Sequence, residues 1–130
     1  MAKILVVEDS ASTRAFVRAS LEDSDLGTQP PEVVLAANGF EAMRLLPRGP
    51  YDLIVTDINM GDINGLELIR FIRKSQHHAS TPLLIISSQN SEKDVERGLA
   101  LGANRFLAKP FSAETLVKVC TELLAPGGSA

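Results

Sequence analysis

Residues 52–73 read DLIVTDINMGDINGLELIRFIR. Leu53–Thr56 is a nearly continuous apolar run, too short for a helix and without the polar alternation of a half-exposed strand, so it reads as a strand covered on both faces. A polar turn containing Asp57 and Asn59 follows, and then Gly65, Leu68, Ile69 and Ile72 repeat at helical spacing. A buried strand feeding directly into an amphipathic helix is one unit of a parallel sheet wrapped by helices.

The same unit recurs on both sides of this stretch. Strands are predicted at Ile4–Val7, Val33–Ala36, Leu83–Ser87 and Arg105–Ala108. The runs at 4–7, 53–56 and 83–87 have the character of inner strands, and the other two, shorter and more mixed, that of edges. Thr13, Phe16, Val17, Ser20 and Leu21 mark an inner helical face that leaves Arg14 and Arg18 to solvent. Val95, Gly98, Leu99 and Gly102 mark another, and Leu116, Val119, Cys120, Leu123 and Leu124 a third. Ser112 is placed to cap the last helix, with Phe111 and Leu116 as a hydrophobic staple. Asn38-Gly39, Asn64-Gly65 and Gly102 punctuate helix ends. His77-His78 falls in a polar stretch expected to be a solvated loop, and Cys120 on its apolar stripe reads as core. The expected class is therefore α/β: five parallel strands, helices on both faces, one domain over residues 1–125 and a linker or flexible tail over 126–130.

Composition narrows the function. The 130 residues carry 13 Lys and Arg against 16 Asp and Glu, a net charge of −3, which argues against direct nucleic-acid binding by this chain. A single cysteine gives neither an internal disulfide nor a zinc set. The longest apolar run near the start, Ile4–Val7, is far too short to enter a membrane, so a cytoplasmic location is expected.

In an open parallel sheet, ligands bind beyond the carboxyl ends of the strands. Glu8 and Asp9 follow the first strand, Asp57 and Asn59 the third, Ser87 ends the fourth, and Lys109-Pro110 follows the fifth. No glycine-rich phosphate loop follows the first strand. Taken singly, Asp9, Asp57 and Ser87 read as helix caps. Taken together, three carboxylates at one edge repel one another and any anion until a hard divalent cation joins them, and Mg²⁺ suits oxygen donors of this kind. With Lys109 as a point charge and Ser87 as a donor, the set is one for phosphoryl transfer.

These residues lie in four ordered blocks, ILVVEDS at 4–10, residues 52–73, PLLIISSQ at 82–89 and GANRFLAKPF at 102–111. On them the chain resembles a receiver domain of two-component signalling, of the chemotaxis single-domain type, from Lys3 to Leu124. The resemblance implies a flavodoxin-like doubly wound sheet of order 2-1-3-4-5 with five helices. It implies Asp57 as phospho-acceptor from a sensor histidine kinase, a phosphotransfer protein or a small phosphodonor. It further implies Mg²⁺ held by Asp9, Asp57 and the Asn59 carbonyl, with Glu8 acting through water. Ser87 and Lys109 would engage the phosphoryl group, the lysine aimed by a cis bond to Pro110, and Phe106 would turn inward as Ser87 moves. A downstream protein target would dock on the 91–124 face.

The sequence departs from the family pattern at Gly61, where proline is usual after the methionine, and at Ser88, where alanine is common. Those departures motivate a competing reading, a receiver-like interaction domain that works without phosphate. A Mg²⁺-dependent phosphohydrolase is disfavoured, because Asn59 stands where a general acid is needed two positions after Asp57.

Overall fold

The computed structural model describes residues 2–24, 30–61 and 63–125; the tail predicted at 126–130 lies outside the described residues. Within them the chain runs β1 (Lys3–Val7), α1 (Ala11–Glu22), β2 (Glu32–Ala36), α2 (Gly39–Leu45), a 3₁₀ turn (Leu46–Arg48), β3 (Leu53–Thr56), α3 (Gly65–Lys74), β4 (Leu83–Ser87), α4 (Glu92–Ala100), β5 (Arg105–Ala108) and α5 (Ala113–Leu124). All strand pairs are parallel and the order is β2-β1-β3-β4-β5. This is the flavodoxin-like arrangement, with β2 and β5 at the edges as expected.

Alternation along each inner strand sorts the core into two layers. Ile4, Val6, Leu53, Val55, Leu84 and Ile86 face α1 and α5, meeting Val17, Leu21, Leu116, Val119, Cys120 and Leu123. Leu5, Val7, Ile54, Leu83 and Ile85 face the opposite way, against Ala42 of α2 and Leu68, Ile69 and Ile72 of α3. The Cys120 thiol is pushed up to about 12 by burial, so it stays protonated and inert at neutral pH.

Ser10, Asn38, Asn64, Ser91 and Ser112 each accept an amide hydrogen bond from the first turn of the helix they precede, worth about 1 kcal/mol apiece. Phe111 packs against the layer that contains Leu116, as the staple requires.

Four side chains differ from the sequence reading. Phe16 is 42% and Leu99 43% exposed, because a helix lying on a sheet buries a strip narrower than the stripes predicted for α1 and α4. Phe16 instead leans on Phe111, with ring centroids 6.1 Å apart. Arg14 is half-buried rather than solvated, because its guanidinium turns back onto the Glu8 and Asp9 carbonyls. His78 is 2% exposed and no part of a solvated loop: its ring nitrogens sit 3.2 Å from Thr81 Oγ1 and 3.2 Å from the Leu46 carbonyl, tying the α3–β4 connection to the 3₁₀ turn.

Beside His78, the Arg73 guanidinium ties together the end of the sheet remote from the acidic loops. It donates to the Gly102 carbonyl from Nε (3.0 Å) and Nη2 (2.7 Å), to the His78 carbonyl (2.9 Å) and to Asn104 Oδ1 (3.2 Å). Gly102, at φ 120°, adopts a backbone conformation that only glycine takes without strain, and this presents its carbonyl to Arg73. Arg73→Met is expected to lower unfolding free energy by about 2 kcal/mol, since half-buried acceptors lose their donor. Urea denaturation with an unchanged midpoint contradicts that assignment.

Candidate functional site

Glu8, Asp57 and Lys109 each follow directly on the last residue of a strand. β1 is buried from Ile4 to Val7, and the Glu8 amide continues the ladder by donating to the Ala36 carbonyl at 3.0 Å, so Glu8 is delivered, 0% exposed, to the top of the sheet. Its Oε2 accepts from the Ser10 amide at 3.1 Å. Asp9, the next residue, is exposed. On β3, the Asp57 amide donates to the Val7 carbonyl (3.2 Å) and the Asn59 amide donates to Asp57 Oδ1 (3.1 Å), which places a 4% exposed carboxylate beside Glu8.

α3 begins against this backbone. A Cβ on Gly65 would collide with the Asp57 carbonyl and the Ile58 Cα. Only glycine lets the helix start so near the acidic strand end. Thr56 Oγ1 donates to the Asp57 carbonyl at 3.0 Å from the other side.

Lys109 arrives from β5. Its amide donates to the Ser87 carbonyl at 3.0 Å, its peptide bond to Pro110 is cis, and its Nζ lies 2.6 Å from Glu8 Oε1 and 2.7 Å from Asp57 Oδ2. Glu8, Asp9 and Asp57 each offer a carboxylate oxygen within 4.8 Å of the others, the one such acidic, His or Cys group among the described residues. Ser87 is fully buried at the end of β4, and its hydroxyl accepts from the Gln89 amide at 3.0 Å. Phe106 lies one strand over, half-buried and packed against the α3 layer. Glu8, Asp9, Asp57 and Lys109 thus converge directly; Ser87 borders them through the Lys109 backbone, and Asn59 contributes its amide.

The electrostatics match this crowding. Burial raises the Glu8 carboxyl above its ordinary 4.5, against the lowering pull of Lys109 and the Ser10 amide. Burial alone would lower Lys109, but the two carboxylates outweigh it and hold the ammonium above its ordinary 10.5. Lys109 is therefore charged wherever the carboxylates are. One ammonium still leaves three carboxylates undercompensated, and an all-oxygen, anionic donor set of this size suits a hard divalent cation.

Two residues of the site escape the sequence reading, Thr56 and Arg14. Thr56 reads simply as the last residue of a buried strand, and nothing in its type announces the bond to Asp57. Arg14 Nη1 donates to the carbonyls of Glu8 (2.8 Å) and Asp9 (3.3 Å). A signal for it exists: a cation one turn into a helix opposes the positive end of the helix dipole, so it needs a compensating partner nearby.

With strand order, acidic pocket and lysine in place, the comparison with known proteins is direct. The response regulator receiver domain profile matches residues 4–121, and the chain belongs to that family. Receiver domains are signalling switches activated by phosphorylation; they bind Mg²⁺ at an acidic pocket and interact with histidine kinases or phosphotransfer proteins and with downstream targets. The chain is 30% identical over 126 residues to a chemotaxis protein CheY homolog of Campylobacter jejuni, covering 96% of this chain and 94% of that protein. The high-resolution structure of chemotaxis response regulator CheY4 of Vibrio cholerae superposes with a TM-score of 0.87 at 35% identity, covering 95% of this chain and 99% of that one. A probable transcriptional regulatory protein of Picosynechococcus is 38% identical over 130 residues, and there the chain spans about half, 49%, of the relative's length. Among the described residues no helix is long and apolar enough to cross a membrane.

Proposed function

We propose that this chain is a phosphorylation-driven switch in which Asp57 accepts the phosphoryl group and the altered surface then selects a protein target. The observation that carries this reading is the Lys109 ammonium held between Glu8 and Asp57, at 2.6 and 2.7 Å, beside a three-carboxylate cluster. Residues 1–125 act as the receiver unit, and a cytoplasmic location fits a phosphodonor charged from ATP.

In this reading Asp9, Asp57 and the Asn59 carbonyl would hold Mg²⁺, with Glu8 acting through water. An ion held there would supply positive charge against the carboxylates and the incoming phosphoryl oxygens. An Asp57 oxygen forms the new O–P bond as the P–N bond of a phosphohistidine breaks, and the departing imidazole nitrogen keeps the electron pair and takes a proton. Asp57 then carries nearly two negative charges and additional acceptor oxygens. Lys109, already within 2.7 Å of Asp57, follows the charge onto the phosphoryl group. Ser87 exchanges its Gln89 contact for a donated bond to the same group, and Phe106 moves inward behind it. Two or three charge-assisted bonds of this kind approach the ~5.5 kcal/mol needed to invert a 1:99 population.

Because burial raises Glu8, its proton competes with the metal at a pH above that of an ordinary glutamate. Mg²⁺ affinity is therefore expected to fall on acidification, with a midpoint above pH 4.5, and calorimetric titrations across pH read it. Affinity that holds constant down to pH 4.5 contradicts a ligand role for Glu8. The switch itself is tested with beryllofluoride, a mimic of the phosphorylated carboxylate, in the presence of Mg²⁺. Amide NMR shifts are expected around Asp57 and to spread from Ser87 through α4, β5 and α5. Shifts confined to the acidic loops, with binding of the target protein unchanged, favour the phosphate-independent reading instead.

A further inference from the structure

Resting on the metal reading above, we infer that Arg14 is a positioning residue for the acidic site, fixing the turn that presents Glu8 and Asp9 to a divalent cation. Residue 14 closes on three successive carbonyls. Its amide donates to Ser10 O at 2.9 Å, the first bond of α1, while its Nη1 donates to Glu8 O at 2.8 Å and to Asp9 O at 3.3 Å. The Glu8–Ser10 turn carries two of the three carboxylates of the cluster and lies between the last bond of the β1 ladder and the first turn of the helix.

The choice of acceptor matters as much as the presence of charge. Lys109 sits on the carboxylate oxygens themselves. Arg14 contacts main-chain carbonyls instead, so it stiffens the turn and adds a positive charge near the cluster without itself occupying the carboxylate oxygens of Glu8 and Asp9. An arginine bonded to the carboxylates would compete with the cation; one bonded behind them does not. The placement is also costly for the helix alone, since α1 carries no acidic residue in its first turn and the cation stands near the positive end of the dipole. Groups that orient metal ligands from behind commonly change metal affinity 10- to 100-fold when removed.

The test is Mg²⁺ titration by calorimetry on the metal-free parent, Arg14→Met and Arg14→Lys, with thermal melts of each in EDTA. The methionine variant keeps an unbranched apolar stem and removes the guanidinium, with its charge and both of its bonds to the turn. Its Kd for Mg²⁺ is expected to rise about tenfold, with a melting temperature in EDTA close to the parent's. The lysine variant keeps the charge but cannot reproduce the guanidinium geometry, and its Kd is expected to lie between the two. A methionine variant within twofold of the parent overturns the inference, as does a lysine variant with parental affinity, which would assign the effect to charge alone. If Arg14→Met does not fold, the lysine variant decides by the same criterion. A parent that binds no Mg²⁺ overturns the metal reading itself and is thereby distinguished from a failure of the Arg14 inference.

Discussion

Asp57→Asn is expected to abolish phosphoryl transfer to this protein outright. Incubated with Mg²⁺ and acetyl phosphate, the parent gains the mass of one phosphoryl group, and the variant gains none. The selectivity follows from the three carboxylates' surroundings. Glu8 is 0% exposed, with one oxygen on Lys109 and the other on the Ser10 amide, so a donor cannot reach it. Asp9 is exposed and, among the described residues, has no ammonium on its carboxylate. Asp57 alone combines a place beside the other two with a cation at 2.7 Å to meet the developing charge. Asparagine preserves shape and the Asn59 contact while removing the nucleophilic oxygen, so loss of the adduct reports chemistry rather than unfolding. A variant that still gains the full adduct places the acceptor elsewhere.

Lys109→Met is the second large effect. Removing one partner from a buried charge pair leaves the other uncompensated, which typically costs about 3–5 kcal/mol. Here two carboxylates lose their shared ammonium, one of them with a side chain only 1% exposed. Denaturant unfolding in EDTA is expected to show a loss at the lower end of that range, because Lys109 itself keeps 20% of its side chain in solvent. Added Mg²⁺ is expected to restore much of the loss in the variant, since a cation in the cluster takes over the compensation. The pH dependence has a definite sign. The folded protein holds the Lys109 proton above the ordinary 10.5, so its stabilisation is complete at neutral pH and fades as pH rises through the raised value. The variant is expected to lack that alkaline decline. Equal stability of variant and parent in EDTA contradicts the pairing.

What the sequence made legible, and what it did not, has a physical pattern. Inner strands could be read from residues 4–7, 53–56 and 83–87 because burial on both faces leaves an unbroken apolar run, and the observed order places all three inside. Glu8, Asp9, Asp57 and Lys109 could be read because their charges sit directly after strands, where no core demand explains them. Phe16 and Leu99 could not, since periodicity gives the direction of a stripe but not the width of the strip that a sheet covers. His78 was lost for a related reason. Its polar neighbours suggested solvent, whereas Thr81 and the distant Leu46 carbonyl satisfy its ring inside the fold. Arg14 reads only as a solvent-facing cation and Arg73 carries no signal of its own; the main-chain carbonyls that give each its task come from turns whose geometry no local pattern encodes.

The most direct test of the whole account locates the phosphoryl group chemically. Parent protein charged with acetyl phosphate and Mg²⁺ is treated with borohydride, which reduces an acyl phosphate to the alcohol, and the digest is sequenced by mass spectrometry. Homoserine at position 57, absent when EDTA replaces Mg²⁺, is the predicted result. Reduction at another carboxylate, or a labelled Asp57 that forms equally well in EDTA, would contradict the claim that a divalent cation in this acidic cluster makes Asp57 the acceptor.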